Sequence, residues 1–221
     1  MTRLRGWLRA NSLRVLAHVA GLLPAAWLAL DYLRGADSFT FNRTVMLRSG
    51  SASLALLLAS FACTPLSRLL RWSAPTRARR ALGLYGFGYS LLHVWNYAVW
   101  ENGLEPALIW RDLGERRAMS VGLLAVAALV PLALTSTRGW QQRLGKRWKT
   151  LHRLVYAAVP LAVWHFYWLE RDLVTLPLLA AGLVALLFAL RLPAVRAWLR
   201  RPFAPPPSRP QKEREGGGNH N

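Results

Sequence analysis

Long apolar runs, each bounded by clusters of charge, leave this chain few ways to fold. Six runs approach the roughly 20 residues a helix needs to cross a bilayer. They fall at 13–32, 49–66, 81–100, 119–135, 151–169 and 174–192. The chain is 53% hydrophobic yet carries a formal charge of +19 over 221 residues. Those two figures conflict in a soluble domain. They agree when apolar segments lie in lipid and charge lies between them. The fold class implied is all-α, a polytopic six-helix transmembrane bundle over 1–201, followed by a Pro-, charge- and Gly-rich tail at 202–221 with too little to bury to order itself. His220 belongs to that tail and is not a ligand candidate.

The charges orient the spans. Arg3, Arg5, Arg9 and Arg14 precede the first. Arg68, Arg71, Arg77, Arg79 and Arg80 separate the second from the third, and Arg138, Arg143, Lys146, Arg147 and Lys149 lie between the fourth and fifth, both without an acid. Arg191, Arg196, Arg200 and Arg201 follow the last. The other connections are mixed, with Asp31 and Asp37 after the first span, Glu101, Glu105, Asp112 and Glu115 after the third, and Glu170 and Asp172 after the fifth. Basic loops stay in the cytoplasm, so both termini are placed there. Trp7, Trp72, Trp140, Trp148 and Trp198 fall at cytoplasmic ends, and Trp100, Trp110 and Trp168 at the opposite ends, as interfacial belts require. Trp27, Trp95 and Trp164 fall within spans and read as core packing.

Several function classes are excluded or weakened. The basic residues sit at span ends rather than on one face, which argues against nucleic-acid binding. The single cysteine, Cys63, rules out an internal disulfide, a cysteine-ligated zinc site and an iron–sulfur cluster held by this chain alone, and reads as a small packing residue. The basic start leads into an apolar run without a small-residue cleavage pattern, so it reads as a retained first helix. No acid lies inside a span, which weakens a proton-coupled transporter. No soluble domain is expected after the sixth helix.

Ionisable groups inside a bilayer are costly and mark function by default. His18, His93, His152 and His165 lie in or at spans. His93 is about 18 Å into the third span and His165 about 21 Å into the fifth at 1.5 Å per residue, both counted from the cytoplasmic side. Two imidazoles at one depth on separate helices can clamp one iron from both sides, leaving no open position. That suits electron transfer. His152 lies roughly 20 Å below His165, where a second haem fits. The matching positions on the third span are Arg79 and Arg80, not histidines. An arginine there either pairs with haem propionates or approaches the iron, and His18 is a further candidate partner whose structural reading is favoured.

With these residues in view, a family resemblance emerges. The segment Arg77 to His93 (RARRALGLYGFGYSLLH) resembles the third helix of the MsrQ (YedZ) family, haem-binding membrane subunits of a methionine sulfoxide reductase system. So do Gly21 to Pro24 (GLLP), Thr64 to Arg68 (TPLSR), Thr135 to Thr137, Gln142 to Lys146 (QRLGK), Trp148 and Leu151 to Tyr156 (LHRLVY). The resemblance covers nearly the whole chain before the tail. The family belongs to the ferric-reductase-like transmembrane group, which includes the NADPH oxidases, but lacks their flavin and nicotinamide domain. The resemblance implies haem b, one or two, bound through His93, His152 and His165, together with FMN and a periplasmic molybdenum-containing partner, MsrP.

The function expected is an inner-membrane, multi-pass electron carrier, itself not an enzyme. Electrons enter from quinol or a reduced flavin in the cytoplasm and leave to MsrP, which reduces methionine sulfoxide in oxidised proteins and so restores a flexible apolar side chain. The acidic connection from Glu101 to Glu115 is the candidate partner face. Two other classes compete. A transporter or assembly factor with structural histidines would be colourless, and a self-sufficient ferric or oxygen reductase would need an open haem position.

Overall fold

The computed structural model describes residues 2–35, 37–170 and 174–200, with side chains from Ser12 onward except at 196 and 198–200. The tail at 202–221 with His220, the loop residues Arg171 and Asp172, and the side chains of Arg3, Arg5, Trp7, Arg9, Arg196 and Trp198 lie outside the described residues. Every described element is helical. The order is α1 (Thr2–Leu33), α2 (Ser38–Leu69), α3 (Ala74–Asn96), α4 (Pro106–Glu115), α5 (Arg117–Leu134), α6 (Arg138–Leu144), α7 (Lys146–Leu151), α8 (Val155–Leu169), α9 (Thr175–Ala189) and α10 (Pro193–Arg200). A π-helical turn, Tyr97–Glu101, extends α3, and a 3-10 turn, His152–Leu154, leads into α8.

Each expected span falls on a helix or a helix with its adjoining turn. Ser12–Leu33, Ser38–Leu69 and Arg117–Leu134 are long and apolar enough to cross a membrane by themselves. The other three are not. Arg77, Arg79 and Arg80 occupy the first turns of α3, and α8 and α9 have 15 residues each, about 22 Å of rise. The second helix starts eleven residues before the expected Ser49. Arg43 and Arg48 break the apolar run there, but Asp37 caps the helix by accepting from the Thr40 N–H at 2.9 Å. That bond holds the Asp37 carboxyl below the usual carboxylate range.

Polar groups and small residues set the inner packing. Ser53 donates to the Gly86 carbonyl at 2.9 Å, and a Cβ on Gly86 would stand 2.9 Å from Leu57. The run Ser49–Ser53 therefore brings α2 and α3 into near-backbone contact, as small residues do between membrane helices. Two apolar clusters complete the interior. Phe61, Val159, Val163, Val184 and Leu187 join α2, α8 and α9. Leu57, Leu129 and Ala158 join α2, α5 and α8. The outer face is apolar too, with Leu23 58% and Leu179 66% exposed. A soluble protein does not leave such a surface uncovered.

Pro24 removes one hydrogen bond from α1, and a side chain meets the next pair of backbone groups. There the Tyr89 hydroxyl of α3 donates to the Gly21 carbonyl at 2.7 Å and accepts from the Ala25 N–H at 2.9 Å. A side chain thus stands inside the helix ladder. Trp27, Trp95 and Trp164 do not pack the core. They are 56%, 61% and 53% exposed and face outward. Cys63 is buried against the Ala59 carbonyl, as a packing residue.

Candidate functional site

The helices carry His93 and His165 into one place. Their ring centroids lie 6.1 Å apart with the planes at 84°. Two metal–imidazole bonds of about 2 Å would separate such centroids by ~6.3 Å. Each ring is fixed by its other nitrogen. His93 Nδ1 contacts the Met46 carbonyl at 3.0 Å, and His165 Nδ1 the Ala118 carbonyl at 2.7 Å. A carbonyl only accepts, so both Nδ1 atoms carry the proton. Both Nε2 atoms then keep their lone pairs, the tautomer that metal ligation needs.

Glycines make room for these rings. A Cβ on Gly50 would lie 3.1 Å from His93 Nδ1, and one on Gly122 would lie 2.6 Å from His165 Nδ1. In both cases the glycine sits four residues after the carbonyl acceptor on the same helix. Each histidine follows its carbonyl partner by 47 residues. The α2–α3 pair and the α5–α8 pair therefore repeat one device, displaced by 72 residues along the chain. Leu57 and Leu129, which share an apolar cluster, are separated by the same displacement. Sequence reasoning found the two histidines but missed the glycine seats beneath their rings and the repeat. The repeated glycine–histidine spacing was the available signal.

The remaining histidines are placed differently. His152 stacks on Trp148, with centroids 4.0 Å apart, and its Nε2 lies 3.1 Å from Thr135 Oγ1. The Thr135 hydroxyl donates to the Pro131 carbonyl at 2.6 Å, so its oxygen accepts from His152. No second histidine faces it among the described residues, and Arg79 lies within electrostatic reach. Trp148, expected at the interface, is spent on this contact and on a 2.9 Å bond to the Thr135 carbonyl. His18 is exposed and meets Tyr85, Nδ1 to hydroxyl, at 3.1 Å. No hydrogen bond or ring contact joins it to His152 among the described residues. Arg79 donates to Thr64 Oγ1 at 3.1 Å, and Arg80 is exposed.

No group of three or more His, Cys, Asp or Glu that could hold a bare metal ion is found among the described residues. The spacing of the His93 and His165 rings is instead that of two imidazoles sharing one metal whose other donors come with it.

Residues 49–163 match the family model of the ferric reductase like transmembrane component. The chain is 41% identical over 185 residues to the protein-methionine-sulfoxide reductase heme-binding subunit MsrQ of Rhodospirillum rubrum, covering 83% of this chain and 89% of the relative. It is 41% identical over 194 residues to the MsrQ of Bordetella pertussis, covering 86% and 91%. The chain belongs to the MsrQ family. The ferric-reductase-like match begins one residue before Gly50 and ends two before His165. In this MsrQ-family chain it therefore spans both glycine cradles, the whole of α3 with His93, and α8 as far as Val163.

Proposed function

We propose that this chain is the haem-b-binding membrane subunit of a methionine sulfoxide reductase system. In this reading it spans the bacterial inner membrane six times with both termini in the cytoplasm. It passes electrons from quinol or a reduced cytoplasmic flavin, with FMN as a further cofactor, to a periplasmic molybdoenzyme, MsrP. That partner reduces methionine sulfoxide in oxidised proteins, and this chain does not itself catalyse repair.

The observation that carries the proposal is the 6.1 Å approach of the His93 and His165 rings, each with Nδ1 tied to a carbonyl. A bound haem supplies a one-electron couple, ferric to ferrous, whose potential responds to axial ligands and burial. The protein's own share is positional. Met46 and Ala118 carbonyls fix ring orientation and raise imidazole basicity. Gly50 and Gly122 let the rings lie flush on α2 and α5. His93 and His165 would together hold the haem iron, which would then serve electron transfer rather than oxygen binding. His152, near Arg79, is assigned to a second, cytoplasmic-side haem, with Arg79, Arg80 and His18 as its candidate contacts. The names of the relatives support haem binding and the sulfoxide reductase system.

The test is a spectrum of the purified full chain. Reduction with dithionite is expected to give b-type haem bands, and reduced protein is expected not to bind carbon monoxide rapidly. A colourless preparation, from cells supplied with haem, returns the chain to the transporter or assembly-factor reading.

A further inference from the structure

Three arginines converge on the turn joining α2 to α3, away from the His93–His165 pair. They line a cavity of about 370 Å³, together with Ser67, Trp72 and Thr76. That size suits a small ligand. Arg68, Arg71 and Arg79 contribute the charge, and no carboxylate lines the cavity. Arg191 lies within electrostatic reach of Arg68 and Arg79, adding a fourth like charge nearby.

The protein holds two of these four itself. Arg79 donates to Thr64, and Arg191 donates to the Leu187 and Phe61 carbonyls at 2.7 and 2.6 Å. Among the described residues, Arg68 and Arg71 have no hydrogen-bonding partner for their guanidinium groups. Arg68, Arg71 and Arg79 are exposed, and no carboxylate among the cavity's lining residues balances their charge, which leaves an open basic face that an anion can enter. The backbone adds a second sign. Arg71 has φ of +50°, a left-handed conformation that non-glycine residues adopt at a cost and that clusters at ligand sites. Two bonds close the turn around it, Ser67 Oγ to the Trp72 carbonyl at 2.5 Å and the Trp72 N–H to the Ser67 carbonyl at 3.1 Å.

We propose that this cavity binds a phosphate group, held by the guanidinium forks of Arg68 and Arg71. Planar forks match phosphate oxygens two at a time. The phosphate arrives either on an anionic lipid headgroup or as a soluble phosphate. The site stands apart from the His93–His165 pair and shares only Arg79 with the proposed second haem.

The experiment uses the full chain in nanodiscs. In one arm the discs are phosphatidylcholine with and without phosphatidylglycerol, and lipid retained by the protein is counted by native mass spectrometry. In the other, inorganic phosphate is titrated onto protein in phosphatidylcholine discs. The expected result is saturable binding in at least one arm, weakened about tenfold or more in the double variant Arg68→Gln, Arg71→Asn. Binding confined to the lipid arm identifies a headgroup, and binding in the phosphate arm identifies a soluble ligand. Asparagine tolerates the left-handed conformation, so Arg71→Asn alone is expected to weaken binding without lowering the melting temperature. The variant Arg111→Gln, Arg117→Gln removes the same charge elsewhere and is expected to bind as the parent does. Absence of saturable binding in both arms overturns the proposal, as does equal loss in the control. Loss of haem in Arg71→Asn would assign the arginines to haem propionates and overturn it as well.

Discussion

His165 lies flush against Gly122, so close that a methyl group there would stand 2.6 Å from its Nδ1. His93 bears the same relation to Gly50 with half an ångström more room. The histidines are thus seated by glycines on the neighbouring helix, and this seating sets how closely the two rings approach.

Replacing Gly122 by Ala is therefore expected to displace the His165 ring. Overpacking of this kind costs about 1–3 kcal/mol, or up to roughly a hundredfold in haem affinity if the strain falls on the ligand. Gly50→Ala needs the His93 ring to yield only a few tenths of an ångström, so its effect should be several-fold smaller. Haem per protein, measured as the pyridine haemochrome at limiting haem, orders the three proteins. Equal loading of Gly122→Ala and the parent would show that the seat does not position the ligand.

The four intramembrane histidines should separate into classes. His93→Ala and His165→Ala are each expected to remove most of the haem, because the remaining imidazole is a single axial ligand. His152→Ala should remove at most the second haem and leave the spectrum of the first in place. His18→Ala should leave the first haem in place and lower only the second if His18 contacts it, since among the described residues its ring is exposed and meets Tyr85. Reduced spectra and iron content on matched preparations distinguish these outcomes. Unperturbed spectra in both His93 and His165 variants would remove the ligand assignment.

Much of this arrangement was legible in the sequence because bilayer physics is one-dimensional. Apolar length, loop charge and the depth of His93 and His165 can all be counted along the chain, and the two rings do meet. What was hidden depends on rotation about each helix axis, which counting does not supply. Trp27, Trp95 and Trp164 sit at core-like heights but on outward faces. His152 sits at the height suited to a second site, yet its ring is committed to Trp148 and Thr135. Helix starts were misplaced where polar residues continue a helix, as Ser38 to Arg48 do in α2 beyond the apolar run. The seats at Gly50 and Gly122 were hidden because a glycine's role shows only through what lies against it.

The proposed orientation predicts a labelling pattern. Cys63 is the single cysteine and is buried, so a Cys63→Ala background is silent to thiol reagents. Arg111→Cys in α4 and Gln142→Cys in α6 both place a thiol at an exposed position. In intact spheroplasts a membrane-impermeant maleimide is expected to label Arg111→Cys, and Gln142→Cys only after lysis. The opposite pattern would invert the topology, and labelling of both in intact spheroplasts would break the six-span count.

Tyr89 supplies a prediction about stability rather than cofactor. Its hydroxyl is the link between the Gly21 carbonyl and the Ala25 N–H where α1 passes Pro24. Tyr89→Phe keeps the buried ring and removes only that link. Two backbone groups then lose their partner where water is scarce, at a cost of about 1–3 kcal/mol. Tyr85→Phe is the control, because its hydroxyl meets the exposed His18 and should matter by no more than about 0.5 kcal/mol. Thermal unfolding of both variants in one detergent makes the comparison. If Tyr89→Phe melts with the parent, α1 has closed its ladder without the tyrosine, and the bridge follows from the kink at Pro24 instead of supporting it.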